Sequence, residues 1–420
     1  MAVNTQHLRT AGLRFALAGA EQGLTALLSL GTVLWLIRRG SAEQLGTYVF
    51  WVNVALVAGT LAAAFTTIHL YRLPPAPSPG RRRAERVLLS GNLLLAALAG
   101  LVTLLVVPWL GATLGLWIAA LFLPCTILAL HARALATTHG ALGAAVAISA
   151  APLLAVGCGL AAEAALGRAP SVPFLLALSG LAQGSAGIVV IRRLAGPSPL
   201  DFGAGARRRW WALARRSRWS LAAGLGNEVF TRLYIFVVPG WFGAAALADL
   251  AAAQAMLRPA TLLAGAFGTA ARRPLARQRH TGDKAGFWRL LVLGAVGPAW
   301  ATLLLGGAIA GLWPWITTWV FGGRYAGLEV LVLLWSVVMA ISCFWVAGLA
   351  ALQVLGRLRA LALAEIGGAL VCTLAMAPLL LLLDSPGALL AIALGGVVQV
   401  SLLARGVRRG LRDLAPAAHL

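Results

Sequence analysis

Three arginines stand where apolar side chains would be expected: Arg14, Arg232 and Arg258 each interrupt a long hydrophobic run. A charge at the centre of a bilayer costs at least ~2.5 kcal/mol, so one that persists faces a partner or a hydrated hollow. A guanidinium offers fork-shaped donors that match phosphate oxygens, so inward-facing arginines would suit an anionic head group. Spacing adds companions. Arg14 and Glu21 lie two helical turns apart on one face, with Gln22 beside them. Glu228 and Arg232 are four apart, within ion-pair reach, next to Asn227. Gln254 and Arg258 share a turn, and Pro259 would loosen the backbone one turn earlier. Two readings stay open for these cations. Arg232 lines a hollow or is neutralised by Glu228; Arg14, near an inner end, lines it or snorkels to the surface. Arg258 lies halfway through its run with no carboxylate close in sequence.

Four carboxylates, Glu21, Glu228, Asp249 and Glu365, could accept a coupling H+ or Na+, because burial favours the protonated acid. Glu228 ranks first. Asp249 lies near an outer end and reads as solvated, while Glu365 is close enough to Arg357 and Arg359 to be an ion pair. His69 and His131 sit at inner ends and read as interfacial. Cys125, Cys158, Cys343 and Cys372 lack paired spacing, which argues against a disulfide framework or a metal site.

The elements that must hold these residues follow from composition. Of 420 residues 60% are hydrophobic and 11% charged, against about 25% charged in a soluble domain, and the mean hydropathy is +0.87. The solvent must be a bilayer. A net charge of +22 would suggest nucleic acid in a soluble protein, but here the charges fall in short breaks between apolar runs. Twelve runs lie near 13–37, 46–70, 87–109, 112–136, 141–163, 172–192, 218–241, 245–271, 289–313, 328–352, 360–383 and 386–405. A span needs about 20 residues at helical rise, and unpaired backbone is excluded from hydrocarbon, so all twelve are expected to be transmembrane helices. With the N-terminus inside, the inner loops carry 26 Lys and Arg and the outer loops four. That imbalance predicts both termini in the cytoplasm. No cleavage site follows the first run, which therefore reads as retained. Trp35, Trp109, Trp241, Trp313, Trp315 and Trp319 fall at outer ends and Trp210, Trp211, Trp219 and Trp288 at inner ones, as interfacial belts do.

The basic, Gly- and Pro-containing stretch in mid-chain divides the runs six and six. The expected organisation is a first six-helix bundle over 1–192, a basic cytoplasmic linker over 193–217, a second bundle over 218–405 and a tail over 406–420. The second half also repeats the first weakly: residues 21–38, the turn 41–46 and Tyr48 match 228–241, the turn 243–248 and Gln254. Doubled units are common in secondary transporters, with substrate sites near mid-membrane. The basic loops serve topology and attraction to anionic lipid. The outer loops are short, and the longest, 313–327, holds Arg324 and Tyr325 but no carboxylate. A membrane polymerase or ligase would need acid, base or metal-binding groups there, so the chain reads as non-enzymatic, with no cofactor beyond a coupling ion. No Gly-rich phosphate loop with its Lys occurs.

Several phrases resemble the oligosaccharide and polysaccharide flippases of the multidrug/oligosaccharidyl-lipid/polysaccharide exporter superfamily. One is Arg38-Arg39-Gly40-Ser41-Ala42-Glu43-Gln44-Leu45-Gly46-Thr47-Tyr48, similar to an outer turn of that family. A second is Ala271-Arg272-Arg273-Pro274, similar to its Pro-containing end of the eighth helix. The third is Val320-Phe321-Gly322-Gly323-Arg324-Tyr325-Ala326-Gly327, followed by a Leu-rich helix and Ala351-Leu352-Gln353. Ser41 and Ala42 depart from the family's Gly-Pro, Ala248 from its second-half Gly, and Thr231 from a common acid. The Gly-rich phrase also reads simply as an outer turn. The resemblance implies two six-helix bundles around a central cavity that opens to each face in turn. It implies movement of undecaprenyl-diphosphate-linked oligosaccharide across the bacterial inner membrane for O-antigen, capsule or exopolysaccharide assembly. A glycan polymerase and a chain-length regulator would be its partners. A cation-coupled drug exporter of the same superfamily is the alternative, and a scaffold would leave the mid-span arginines unexplained.

Overall fold

The computed structural model describes residues 5–71, 73, 78–110, 117–168, 171–196, 200–259 and 271–413. Among the described residues no strand occurs and eleven helices are long and apolar enough to cross a membrane. Large apolar side chains are left on their outer surfaces, Leu381 and Leu382 at 76% and 77% exposed among them, as lipid contact allows. The chain is a multi-pass, all-helical membrane protein.

The chain divides into two compact units, Met1–Arg218 and Trp219–Leu420. The first holds α1 (Thr5–Arg39), α2 (Ala42–Phe65), α3 (Pro79–Val106), α4 (Ala119–Thr138), α5 (Leu142–Ala165), α6 (Val172–Ala195) and α7 (Ala204–Arg216). The segment expected to link the bundles thus carries a helix of its own, within the first unit. The second holds α8 (Arg218–Met256), α9 (Arg272–Thr281), α10 (Lys284–Gly311), α11 (Trp313–Trp319), α12 (Glu329–Leu355), α13 (Leu358–Leu383) and α14 (Ser385–Arg412).

Local chemistry sets the breaks. Ser41 starts α2 with a capping box: its hydroxyl accepts from the Gln44 amide and the Gln44 side chain accepts from the Ser41 amide. Ser78 caps α3 ahead of Pro79, and Asp283 caps α10. Gly243 has φ 80 and ψ 170, so α8 is two helices meeting at a turn, where the sequence placed one. The second arm runs toward residues 260–270 of the expected eighth span, which lie outside the described residues.

Small residues bring the helices together. In the first unit Gly180, Gly184 and Gly187 form a ridge on α6 that rests on Phe122, Cys125 and Ala129 of α4. Without a hydrophobic force between helices in lipid, such close backbone approach supplies the contact energy. Some side chains taken as interfacial belong to this packing. Trp313 is fully buried rather than part of an outer belt; its Nε1 donates to the Tyr325 carbonyl at 3.0 Å, and its ring meets Phe321 edge-on. Trp241, Trp315 and Trp319 are exposed.

Candidate functional site

In the second unit the turn at Gly243 folds α8 back on itself, so residues at comparable distances on either side face one another. Tyr234, 4% exposed, lies before the turn, and Gln254 after it hydrogen bonds the tyrosine. Arg232 and Arg258 are both within electrostatic reach of the same tyrosine. Trp335 of α12 pins both arms: its ring meets Tyr234 edge-on at 5.5 Å, and its Nε1 donates to the Leu250 carbonyl at 3.0 Å. The two arginines and Gln254 of the sequence analysis therefore converge on a buried residue that the sequence analysis passed over.

Of the two readings open for Arg232, ion pairing is what the structure displays. Arg232 donates to Glu228 one turn earlier, and the Glu228 side chain is buried. Arg258 is half-buried. Counted together, Glu228, Arg232 and Arg258 leave one net positive charge beside two neutral hydrogen-bonding groups. Such a set holds an anionic oxygen better than a cation.

Glu365 departs from expectation. Arg357 pairs with Asp413 and leaves the carboxylate alone. Glu365 is 2% exposed and accepts from the Trp345 indole at 2.7 Å and from the Gln399 side-chain amide. No cation lies within ion-pair distance of it among the described residues. It sits directly beneath α8, since a Cβ on Gly226 would be 3.0 Å from the Glu365 carbonyl carbon. Next to Gly226, the buried Asn227 Oδ1 has no hydrogen-bond partner, nor has Gln399 Oε1. Glu365 and Gln399 thus form a polar seam between α13 and α14 against α8, in which Gln399 Oε1 keeps spare acceptor capacity.

The first unit contributes less. The Arg14 side chain lies outside the described residues. Glu21 is half-buried within electrostatic reach of Arg133 on α4, whose Nε is buried without a hydrogen-bond partner. Gln22 is exposed. Arg81, one of the inner-side basic residues, is 6% exposed, and its Nε donates to Glu85 at 2.7 Å. His139 meets the same carboxylate oxygen at 2.8 Å. His69 and His131 are buried, not interfacial: His69 bonds Ser217 at 2.8 Å and His131 bonds Thr67 at 3.3 Å. No group of three metal-binding side chains occurs among the described residues.

The phrases shared with the flippases are structural in local geometry. Arg38 is exposed at the end of α1, and Gly46 and Tyr48 are buried in α2 behind the Ser41 cap. Pro274 is exposed in the first turn of α9. Gly322, Gly323 and Gly327 take left-handed φ values, as does Tyr325 at φ 62, which only a tightly held loop sustains in a non-glycine residue. Tyr325 lies outside the spans. Burial, then the charge of Asp249, pushes its hydroxyl from 10.0 up to about 12, with Arg324 opposing. Because the folded value exceeds the unfolded one, this loop's contribution is intact below pH 10 and is lost as pH rises toward 12. Tyr325→Phe is expected to remove that alkaline loss from the loop's unfolding, read by limited proteolysis against pH.

No protein-family model and no curated protein sequence matches the chain. Solved structures do. The lipid II flippase MurJ in an inward closed conformation superposes with a TM-score of 0.68 at 13% identity, over 95% of this chain and 90% of that one. The MATE transporter VcmN of Vibrio cholerae gives 0.60 at 12% identity, over 96% and 98%. The eukaryotic MATE transporter AtDTX14 gives 0.57 at 13% identity, over 97% and 99%. The chain has the fold these transporters share.

Proposed function

We propose that this protein is a non-enzymatic flippase of the bacterial inner membrane that moves an undecaprenyl-diphosphate-linked oligosaccharide by alternating access. The observation that carries the reading is the convergence of Arg232, Arg258 and Gln254 on Tyr234 with a net positive charge inside a span. Diphosphate and sugars cannot cross hydrocarbon unaided, because each unpaired polar group costs several kcal/mol. A cationic, hydrogen-bonding site in a hydrated path removes that barrier while the prenyl tail stays in the bilayer. The lipid II flippase carries a lipid-linked substrate on the same fold, which supports the class. The flipped product feeds O-antigen, capsule or exopolysaccharide assembly, where a polymerase and a chain-length regulator act on it.

Coupling by H+ or Na+ is assigned to Glu365 in preference to Glu228. Glu228 pairs with Arg232, whereas Glu365 has only N–H donors around it and the unsatisfied Gln399 Oε1 beside it. The drug-exporter reading rests on the MATE neighbours, and the positive balance of the Tyr234 cluster disfavours a cationic cargo.

The test is transport in proteoliposomes of a fluorescent polyprenyl-diphosphate saccharide, scored by protection from an external quencher. A charged hydrogen bond contributes about 1.5–3 kcal/mol, so Arg258→Ala is expected to slow flipping about tenfold to a hundredfold. Equal rates for wild type and Arg258→Ala, or extrusion of a cationic dye with no lipid movement, would overturn the assignment.

A further inference from the structure

The helix α7 reads as a loop in the sequence, yet the structure makes it a fixed surface element. One face is committed to the first unit. Ala206 and Ala214 are buried and Trp210 and Leu213 half-buried on that face, and the Trp210 indole fills the space a side chain on Gly91 would need. Both ends are pinned. The Asp201 amide donates to the Ser90 hydroxyl at 2.8 Å, and Ser217 bonds His69 at 2.8 Å. Ser90 and Gly91 mark the depth. They follow the charged start of α3, with Arg81, Arg82, Arg83, Glu85 and Arg86, by about one turn, where the apolar run begins. That is the level of the lipid headgroups, so α7 rests at the bilayer surface.

The other face is basic. Arg207, Arg208, Arg209 and Arg215 are all exposed, with no ion-pair partner among the described residues. The nearest acid, Asp201, caps the Gly203 amide instead. Trp211 and Phe202, 53% and 58% exposed, stand beside them as interfacial aromatics do.

We infer that α7 is a binding surface for anionic phospholipid headgroups, its four exposed arginines engaging lipid phosphates while Trp211 and Phe202 enter the interfacial layer. Charge complementarity selects an anionic partner, and the depth of the docking contacts selects the bilayer over a soluble polyanion. The inference is independent of what the protein transports. It localises to one element an attraction that any basic loop shows weakly, because α7 cannot swing away from the headgroup layer.

Purified full-length protein in neutral detergent, titrated with phosphatidylglycerol and followed by its thermal midpoint, tests it. Each arginine near an anionic surface contributes about 1 kcal/mol. The variant R207Q/R208Q/R209Q/R215Q is therefore expected to lose about tenfold or more in apparent affinity for phosphatidylglycerol. R82Q/R83Q, which removes exposed arginines from α3, should lose clearly less than the four-site variant, and phosphatidylcholine should give no response. The inference fails if the four-site variant responds as wild type does, or if the α3 variant loses as much. It also fails if the wild-type response survives high salt, a measurement that does not depend on the variant folding.

Discussion

Arg232→Ala is expected to destabilise the second unit by about 3–5 kcal/mol, the magnitude for leaving one partner of a buried pair uncompensated. Glu228 would remain as a buried carboxylate that has lost the guanidinium one turn on. Glu228→Gln combined with Arg232→Met removes both charges and should recover most of that loss, because replacing a buried pair by neutral groups of similar volume is close to neutral. Transport should not recover with it. The double variant still lacks one of the two guanidiniums around Tyr234, so stability returns while flipping stays low. Thermal unfolding in detergent and the proteoliposome assay separate the two effects. If the double variant flips lipid at the wild-type rate, the pair serves packing alone and the substrate assignment of Arg232 is wrong. Arg258→Ala provides the contrast: Arg258 is half-buried and reaches Tyr234 from the other arm of α8, so transport should fall further than stability.

What the sequence exposed, and what it hid, follows from the geometry of apolar helices. Spans are legible because hydrocarbon thickness fixes their length, and the Glu228–Arg232 pair is legible because an i,i+4 spacing acts within one helix. Depth along the axis is therefore readable for Arg232 and Arg258 alike. Direction around the axis is not. A helix apolar on every side gives no stripe from which to read its packed face, so nothing marked Tyr234 as the residue on which both arms of α8 close. Glu365 failed for a related reason. Its donors, Trp345 and Gln399, come from two other helices at sequence separations of 20 and 34, while the arginines close in sequence attracted the assignment. Arg81 is the converse case: a run of basic residues reads as a lipid-facing inner loop, and only Glu85 one turn on, with His139 across from it, shows that one of them is buried. The turn at Gly243 was legible by contrast: the apolar runs 218–241 and 245–271 part there, and the left-handed φ of the glycine falls in that break.

The Glu365 seam depends on how closely α13 and α14 approach, and Gly395 sets that distance. A Cβ there would lie 2.6 Å from the Gly368 carbonyl oxygen, 2.9 Å from Cys372 Cβ and 3.0 Å from the Phe230 ring. Two of these neighbours are backbone or Cβ atoms, which cannot rotate away. Overpacking usually costs about 1–3 kcal/mol, and Gly395→Leu is expected at or above the upper end. Gly395→Ala should cost less, since its gain in helix propensity of about 1 kcal/mol offsets part of the clash. The functional loss should exceed the loss of stability. Gln399 lies one turn beyond Gly395 on the same face, so any outward shift of α14 draws its amide from Glu365 and leaves a buried carboxylate with Trp345 alone. Gly297→Leu is the matched control, because nothing lies within 4 Å of a Cβ at that position. Thermal midpoints and the H+ or Na+ dependence of flipping are measured on both. A Gly395→Leu protein with wild-type ion dependence would show that Gln399 does not position Glu365, and coupling would have to be sought at Glu21 or Glu228.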